Sequence, residues 1–143
     1  MPRAHPLEDL FLRAAYRVRL AHGGFATIRI GDPLPATLAG LLPWPGAGWG
    51  FITAWNPRGE ARDRSANRMA QRELREALRS AYPEARLHAG LGTLGDWREP
   101  SLFVAGIGAS ALDALMLRFD QLAVVSGRGP EAATLRWSPT VHS

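Results

Sequence analysis

Residues 51–57 read FITAWNP: an apolar run that drives into Trp55 and Asn56 and is stopped by Pro57. GFITAW (50–55) is apolar at both parities, the mark of a strand covered on both faces and therefore interior to its sheet. Proline disfavours helical backbone in the residue before it. Asn56 is accordingly expected in an extended or polyproline conformation, with the last side chains of the strand projecting at the rim of the sheet. Arg58, Arg62 and Arg64 lie in the loop beyond, and the pattern from Ser65 to Ala81 predicts a strong helix that Asp63 or Ser65 can cap. A strand followed by such a helix is half of a crossover unit, and ligands of crossover units sit outside the carboxyl end of the strand.

On a helical wheel, Ala70, Leu74, Ala77, Leu78 and Ala81 form the apolar stripe of helix 65–81, and Asn67 and Gln71 fall on or beside it. Two amides thus face inward near the helix start, where unpaired backbone N–H groups also favour an anion. A buried amide needs hydrogen-bond partners, which are either protein backbone or a ligand. Two uses of these residues follow. Trp55, Asn56, Asn67 and Gln71, rimmed by Arg58 or Arg68, form a crevice for a small polar or anionic ligand, or the amides stitch loop 57–64 to the core.

Outward from this unit, LEDLFLRAA (7–15) has helical spacing, and YRVRLAHGGFATIRI (16–30) alternates on both sides of His22-Gly23-Gly24 as a hairpin does. Pairing Leu20 with Ala26, Val18 with Ile28 and Tyr16 with Ile30 puts the apolar side chains on one face, and sets Arg17 opposite Arg29. The proline-rich 33–48 segment reads as a connector with a helical turn near Ala36–Leu42. RLHAG reads as a short strand before the glycine-rich LGTLGD, and SLFVAGI (101–107) as another buried strand. Ser110 opens a helix over 110–119, and QLAVVSG and ATLRW form strands around the turn RGPE. The mixture predicts a single-domain α+β protein: a mixed sheet with two or more helices packed on one face.

The 143 residues suit one domain, and 46% apolar with 21% charged residues is an ordinary globular balance. The start, MPRAHPLEDL, lacks the apolar core of a secretory leader, and no run approaches the roughly 18 apolar residues of a membrane span, so a cytoplasmic location is expected. The absence of cysteine excludes disulfides, cysteine-bound zinc and thiol nucleophiles. All 17 basic residues are arginine, which reads as the codon bias of a GC-rich genome, so the net charge of +4 is a weak pointer to nucleic acid. Seven of these arginines fall within 58–79, and the stripe Arg68, Arg72, Arg75, Arg79 together with hairpin residues 17–29 is the candidate nucleic-acid surface, with Trp44, Trp49 or Trp55 to stack on bases. Trp44, Trp49 and Trp137 are alternatively anchors for a protein partner.

Glu99 is the candidate general acid or base. A carboxyl between Trp97 and Pro100, at the mouth of a buried strand, is placed for a raised pKa unless Arg98, Arg68 or Arg118 pairs with it. Gly90, Gly92 and Gly95 match G-x-G-x-x-G, but DWREP follows where a dinucleotide site requires a helix. Gly106, Gly108 and Ala111 have better context, yet QLAVVSG ends without the acid that binds ribose, so tight helix packing is the reading there. His5, His22, His88 and His142 share no metal-ligand spacing, and the residues name no cofactor.

TAWNP, then Asn67, Arg68, Ala70 and Gln71, then EPS at 99–101, then Arg118, Phe119 and Gln121 together resemble a bacterial domain-of-unknown-function family, number 3293. The likeness runs from about Tyr16 to Trp137. Leu122 stands where a polar residue is usual and Gln71 where asparagine is frequent. The resemblance implies no activity, only a set of shared positions: Thr53, Trp55, Asn56, Asn67, Arg68, Glu99, Ser101 and Gln121.

Overall fold

The computed structural model describes residues 5–141, so His142 lies outside the described residues. Seven strands and four helices follow in the order α1 (Glu8–Arg13), β1 (Ala15–Arg19), β2 (Phe25–Ile28), α2 (Ala36–Ala39), β3 (Gly48–Ile52), α3 (Arg64–Ala81), β4 (Arg86–Leu94), β5 (Trp97–Ala105), α4 (Ala109–Arg118), β6 (Ala123–Arg128) and β7 (Thr134–Trp137). The strands form one sheet in the order β2-β1-β4-β5-β3-β6-β7. The α+β class is as expected, but the pairing is not mixed: every ladder is antiparallel. The crossovers cause this. β3 and β4 run parallel with β5 inserted between them, and β5 and β6 run parallel with β3 between them, so α3 and α4 each bridge a gap that an antiparallel strand fills.

The sheet curls until its edges meet. Past β2, the Gly31 N–H donates to the Ala133 carbonyl at 2.8 Å and the Ala133 N–H to the Asp32 carbonyl at 2.9 Å, tying that edge to the start of β7. Tying the edges together covers backbone groups that an open sheet would expose for pairing with another chain. Two cores result. Inside the curl lie Tyr16, Val18, Ile28, Leu38, Trp49, Phe51 and Phe103, and on the outer face Leu102 and Val104 pack against Leu74 and Leu78 of α3 and Leu112 and Met116 of α4. Arg136 of β7 holds Asp113 of α4 through two contacts of 2.8 Å, a partly exposed pair that contributes about 1 kcal/mol.

Helices α3 and α4 fall within a residue of their expected bounds, with Asp63 capping α3 by accepting from the Ala66 N–H at 3.4 Å. Ser110 does not cap α4: Gly108 occupies that position without a side-chain bond. The first hairpin is slipped by two residues from the expected register, with Tyr16 opposite Ile28 and Val18 opposite Ala26. A two-residue slip keeps every side chain on its face, so the burial pattern cannot distinguish the registers. Arg17 therefore faces Thr27, not Arg29, and its guanidinium lies 4.2 Å from the centroid of the Phe25 ring. LGTLGD is not a loop. Residues 86–105 are a long hairpin in which Gly95 and Asp96 join Leu94 to Trp97, with Gly95 at φ +56°, as a two-residue turn with glycine first requires.

Candidate functional site

The strand end that opened the sequence is held by side-chain amides. Asn56 adopts the left-handed conformation, φ 45° and ψ 66°, in place of the expected extended one. Asparagine tolerates that region better than most residues, and the hydrogen bonds it gains there outweigh the preference imposed by Pro57. Its N–H donates to Asn67 Oδ1 at 2.8 Å, while its Oδ1 accepts from Asn67 Nδ2 at 2.8 Å and from the Arg62 N–H at 3.1 Å. Asn67 Nδ2 also reaches the Arg62 carbonyl at 3.2 Å. One turn further along α3, Gln71 Oε1 accepts from the Ala54 N–H at 2.9 Å. Gln121 Nε2 donates to the carbonyls of Trp55 and Phe119, both at 3.3 Å.

The space between the end of β3 and α3 is thus filled by protein–protein hydrogen bonds. Asn67 is buried with its amide engaged at both ends, and Gln71 faces backbone. Arg68 is exposed, and Trp55 is half-buried. Arg58, itself left-handed at φ 59°, donates its N–H to the Asp120 carbonyl at 2.7 Å, while its guanidinium stands 3.7 Å from the Asp120 carboxylate at the surface. Trp49 is fully buried in the inner core, so it is neither a stacking platform for bases nor an anchor for a partner. Trp137 packs against His5 and Phe11, and Trp44 stays exposed. Arg68, Arg72 and Arg79 lie on the exposed side of α3 with Arg75 half-buried.

A cavity of about 420 Å³ opens beyond the same end of β3, inside the curl and on the face of the sheet away from α3. Its volume is in the range of small-molecule pockets, about 300–1,000 Å³. Leu7, Leu10 and Phe11 of α1 and the residue before it cover one side; Tyr16, Phe51, Leu94, Trp97 and Val125 supply most of the wall. Thr53, Asn56, Glu99, Ser101 and Gln121 also border it, whereas Trp55, Arg58, Asn67, Arg68 and Gln71 do not. Strand parity explains the set: Thr53 follows Phe51, and Glu99 and Ser101 precede Phe103, each two residues apart on the inner face. Glycine makes the room. Gly92 sits opposite both Tyr16 and Glu99 in the adjoining strands, and a Cβ there would stand 2.9 Å from the Trp97 ring.

Glu99 is the ionisable group of this wall that burial perturbs most usefully. Loss of solvent raises its pKa from 4.5 to about 7. The ion pairs among the described residues are Arg13–Asp9, Arg58–Asp120 and Arg136–Asp113, and none involves Glu99. Arg98, its neighbour in sequence, turns away to the carbonyls of Gly95 and Trp97 at 2.6 and 3.0 Å. Burial, and secondarily the nearby Glu99 charge, pushes the Tyr16 phenol up, so Tyr16 stays protonated and donates to the Phe11 carbonyl at 2.6 Å. The Thr53 hydroxyl donates to the Pro100 carbonyl at 2.7 Å, and the Ser101 hydroxyl to the Glu99 carbonyl at 3.1 Å. Among the described residues no group of three or more acidic or histidine side chains is arranged to hold a metal ion.

The contributions of Leu7, Phe11, Tyr16, Gly92 and Trp97 were not apparent from sequence as parts of a site. The available signal was glycine at alternate positions 90 and 92, which marks a strand face kept clear. Comparison with protein-family models matches residues 52–124 to a protein of unknown function, DUF3293, and the chain belongs to that family. No match was found among curated proteins, and none among solved structures.

Proposed function

We propose that this protein binds a small molecule in the cavity inside the curled sheet, with Glu99 as the polar anchor of an otherwise largely apolar and aromatic site. The observation that carries this reading is a carboxyl group bordering a cavity of about 420 Å³ without an ion-pair partner among the described residues. An unpaired carboxyl in such surroundings is costly, and a site that accepts a ligand is one reason for a chain to keep it. Within the cavity wall the ionisable groups are Glu99 and Tyr16, an acid and a phenol, so an anionic ligand finds no counter-charge there. The ligand class is therefore neutral or cationic, in place of the anion that the arginines of loop 57–64 suggested.

Filling the cavity tests this. Gly92 faces inward at an ordinary strand position, and a new side chain there would meet the far edge of the Trp97 ring, a residue 37% exposed. Gly92→Val is expected to abolish thermal stabilisation by any ligand found in a small-molecule screen, while changing the stability of the unliganded protein by no more than about 1 kcal/mol. A ligand that stabilised parent and variant equally would place binding elsewhere.

A catalytic use of Glu99 is favoured by one observation, its displacement to about 7, where a carboxyl exchanges a proton near neutral pH. Its test is turnover of an amide or ester small enough for the cavity, lost in a folded Glu99→Gln protein and falling in the parent on the acid side of pH 7 as Glu99 protonates. A nucleic-acid role for the α3 arginines has exposed charge in its favour and no comparable feature, and its test is salt-sensitive binding of a single-stranded oligonucleotide.

A further inference from the structure

Resting on the cavity reading above, we infer that the ligand is a small organic amine, bound as its ammonium form with the nitrogen at Glu99 and an apolar or aromatic body against Phe11, Phe51 and Trp97. The hydrogen-bond inventory of the wall points there. Tyr16, Thr53 and Ser101 already donate their hydroxyl protons to the carbonyls of Phe11, Pro100 and Glu99, and the Gln121 amide donates to Trp55 and Phe119. Lone pairs remain on the Tyr16 and Ser101 oxygens, and the Glu99 carboxylate accepts from no described residue. A wall whose hydroxyl protons are engaged and whose oxygens are open matches a ligand with several N–H donors, and an ammonium group carries up to three.

Charge and shape agree with this. The wall holds one carboxyl with no cation paired to it among the described residues, and arginines stay outside: Arg58 and Arg98 are bound at the surface to Asp120 and to carbonyls of the Gly95–Trp97 turn. The aromatic faces of Tyr16, Phe51 and Trp97 add attraction for a cation that a neutral ligand does not gain. A carboxylic acid would set like charges together in a desolvated space. An alcohol of the same shape would fill the apolar wall and leave the carboxyl unneutralised.

The test is calorimetric titration of the full chain at about pH 8 with phenethylamine, phenethyl alcohol and phenylacetate, three probes of one shape and different charge. The inference predicts that phenethylamine binds at least about tenfold more tightly than the alcohol, a difference typical of a hydrogen bond to a charged group, with phenylacetate weakest. In Glu99→Gln the preference for amine over alcohol is expected to vanish with alcohol binding retained. Equal or tighter binding of the alcohol or of phenylacetate by the parent overturns the amine assignment and leaves the cavity reading standing. Failure of all three probes to bind the parent overturns both. The ranking of the probes on the parent protein decides the matter even if the variant is poorly folded.

Discussion

Asn67→Ala is expected to destabilise the protein by about 3 kcal/mol without abolishing ligand binding in the inner cavity. The side chain is 2% exposed and serves three backbone or side-chain groups at once: the Asn56 N–H, Asn56 Oδ1 and the Arg62 carbonyl. Truncation leaves the N–H of half-buried Asn56 without its partner and removes one donor each from Asn56 Oδ1 and the Arg62 carbonyl, at about 1–3 kcal/mol for each group that water cannot reach. Asn56 loses the bonds that hold it left-handed, so the loop from Pro57 to Asp63 loosens with it. Urea denaturation reads the effect as a lower midpoint at unchanged slope. Had Asn67 been a ligand contact in a crevice against α3, alanine would instead weaken binding and change stability by a few tenths of a kcal/mol. A stable Asn67→Ala protein that no longer bound ligand would refute the architectural role.

The second large effect is a fall in stability as pH rises from about 4.5 to about 7, lost in Glu99→Gln. Below 4.5 Glu99 is protonated in both the folded and unfolded chain and has no influence on the pH slope. Between 4.5 and 7 the unfolded chain releases the proton while burial retains it in the folded one, so the unfolded state gains and stability decreases. Above 7 both states are ionised and the penalty has reached its full size. The displacement of 2.5 pH units, from 4.5 to 7, corresponds to about 3 kcal/mol. Asp113 shifts the opposite way, held below its ordinary range chiefly by its hydrogen bond to Arg136, so its contribution is lost only toward acid. Subtracting the stability curve of Glu99→Gln from that of the parent cancels Asp113 and isolates Glu99. The difference should be flat below about pH 4, and the variant should be the more stable protein at pH 8. A difference independent of pH would mean that Glu99 is solvated or paired.

Much of the architecture is legible in the sequence because it rests on local signals: the apolar stripe of α3, the Asp63 cap, the doubly apolar β3 and the turn that joins β6 to β7. The failures have physical causes. RLHAG reads as a strand ending at Gly90, with Gly92 in a glycine-rich stretch beyond it, because glycine usually weakens a strand, yet here Gly90 and Gly92 make room for Phe51 and Trp97 from neighbouring strands. Antiparallel pairing throughout depends on which strand inserts between β3 and β4, a choice made by long-range packing. Asn56 departs from the pre-proline preference through bonds to Asn67, whose inward position on α3 is legible, and to Arg62, in a loop with no readable pattern. Glu99 drew attention from its neighbours and from the family resemblance, but the cavity it borders is assembled from α1 and six of the seven strands, with β2 the one strand that contributes nothing. No window of sequence holds that arrangement.

The most direct test of the central claim, that the functional site lies inside the curled sheet and not beside α3, is a titration of the isotope-labelled protein with phenethylamine followed by amide chemical shifts. Saturable changes concentrated at Tyr16, Thr53, Gly92, Glu99, Ser101 and Gln121 are the predicted result. Changes centred on Arg68, Arg72 and Arg79, with the inner strands silent, would contradict it.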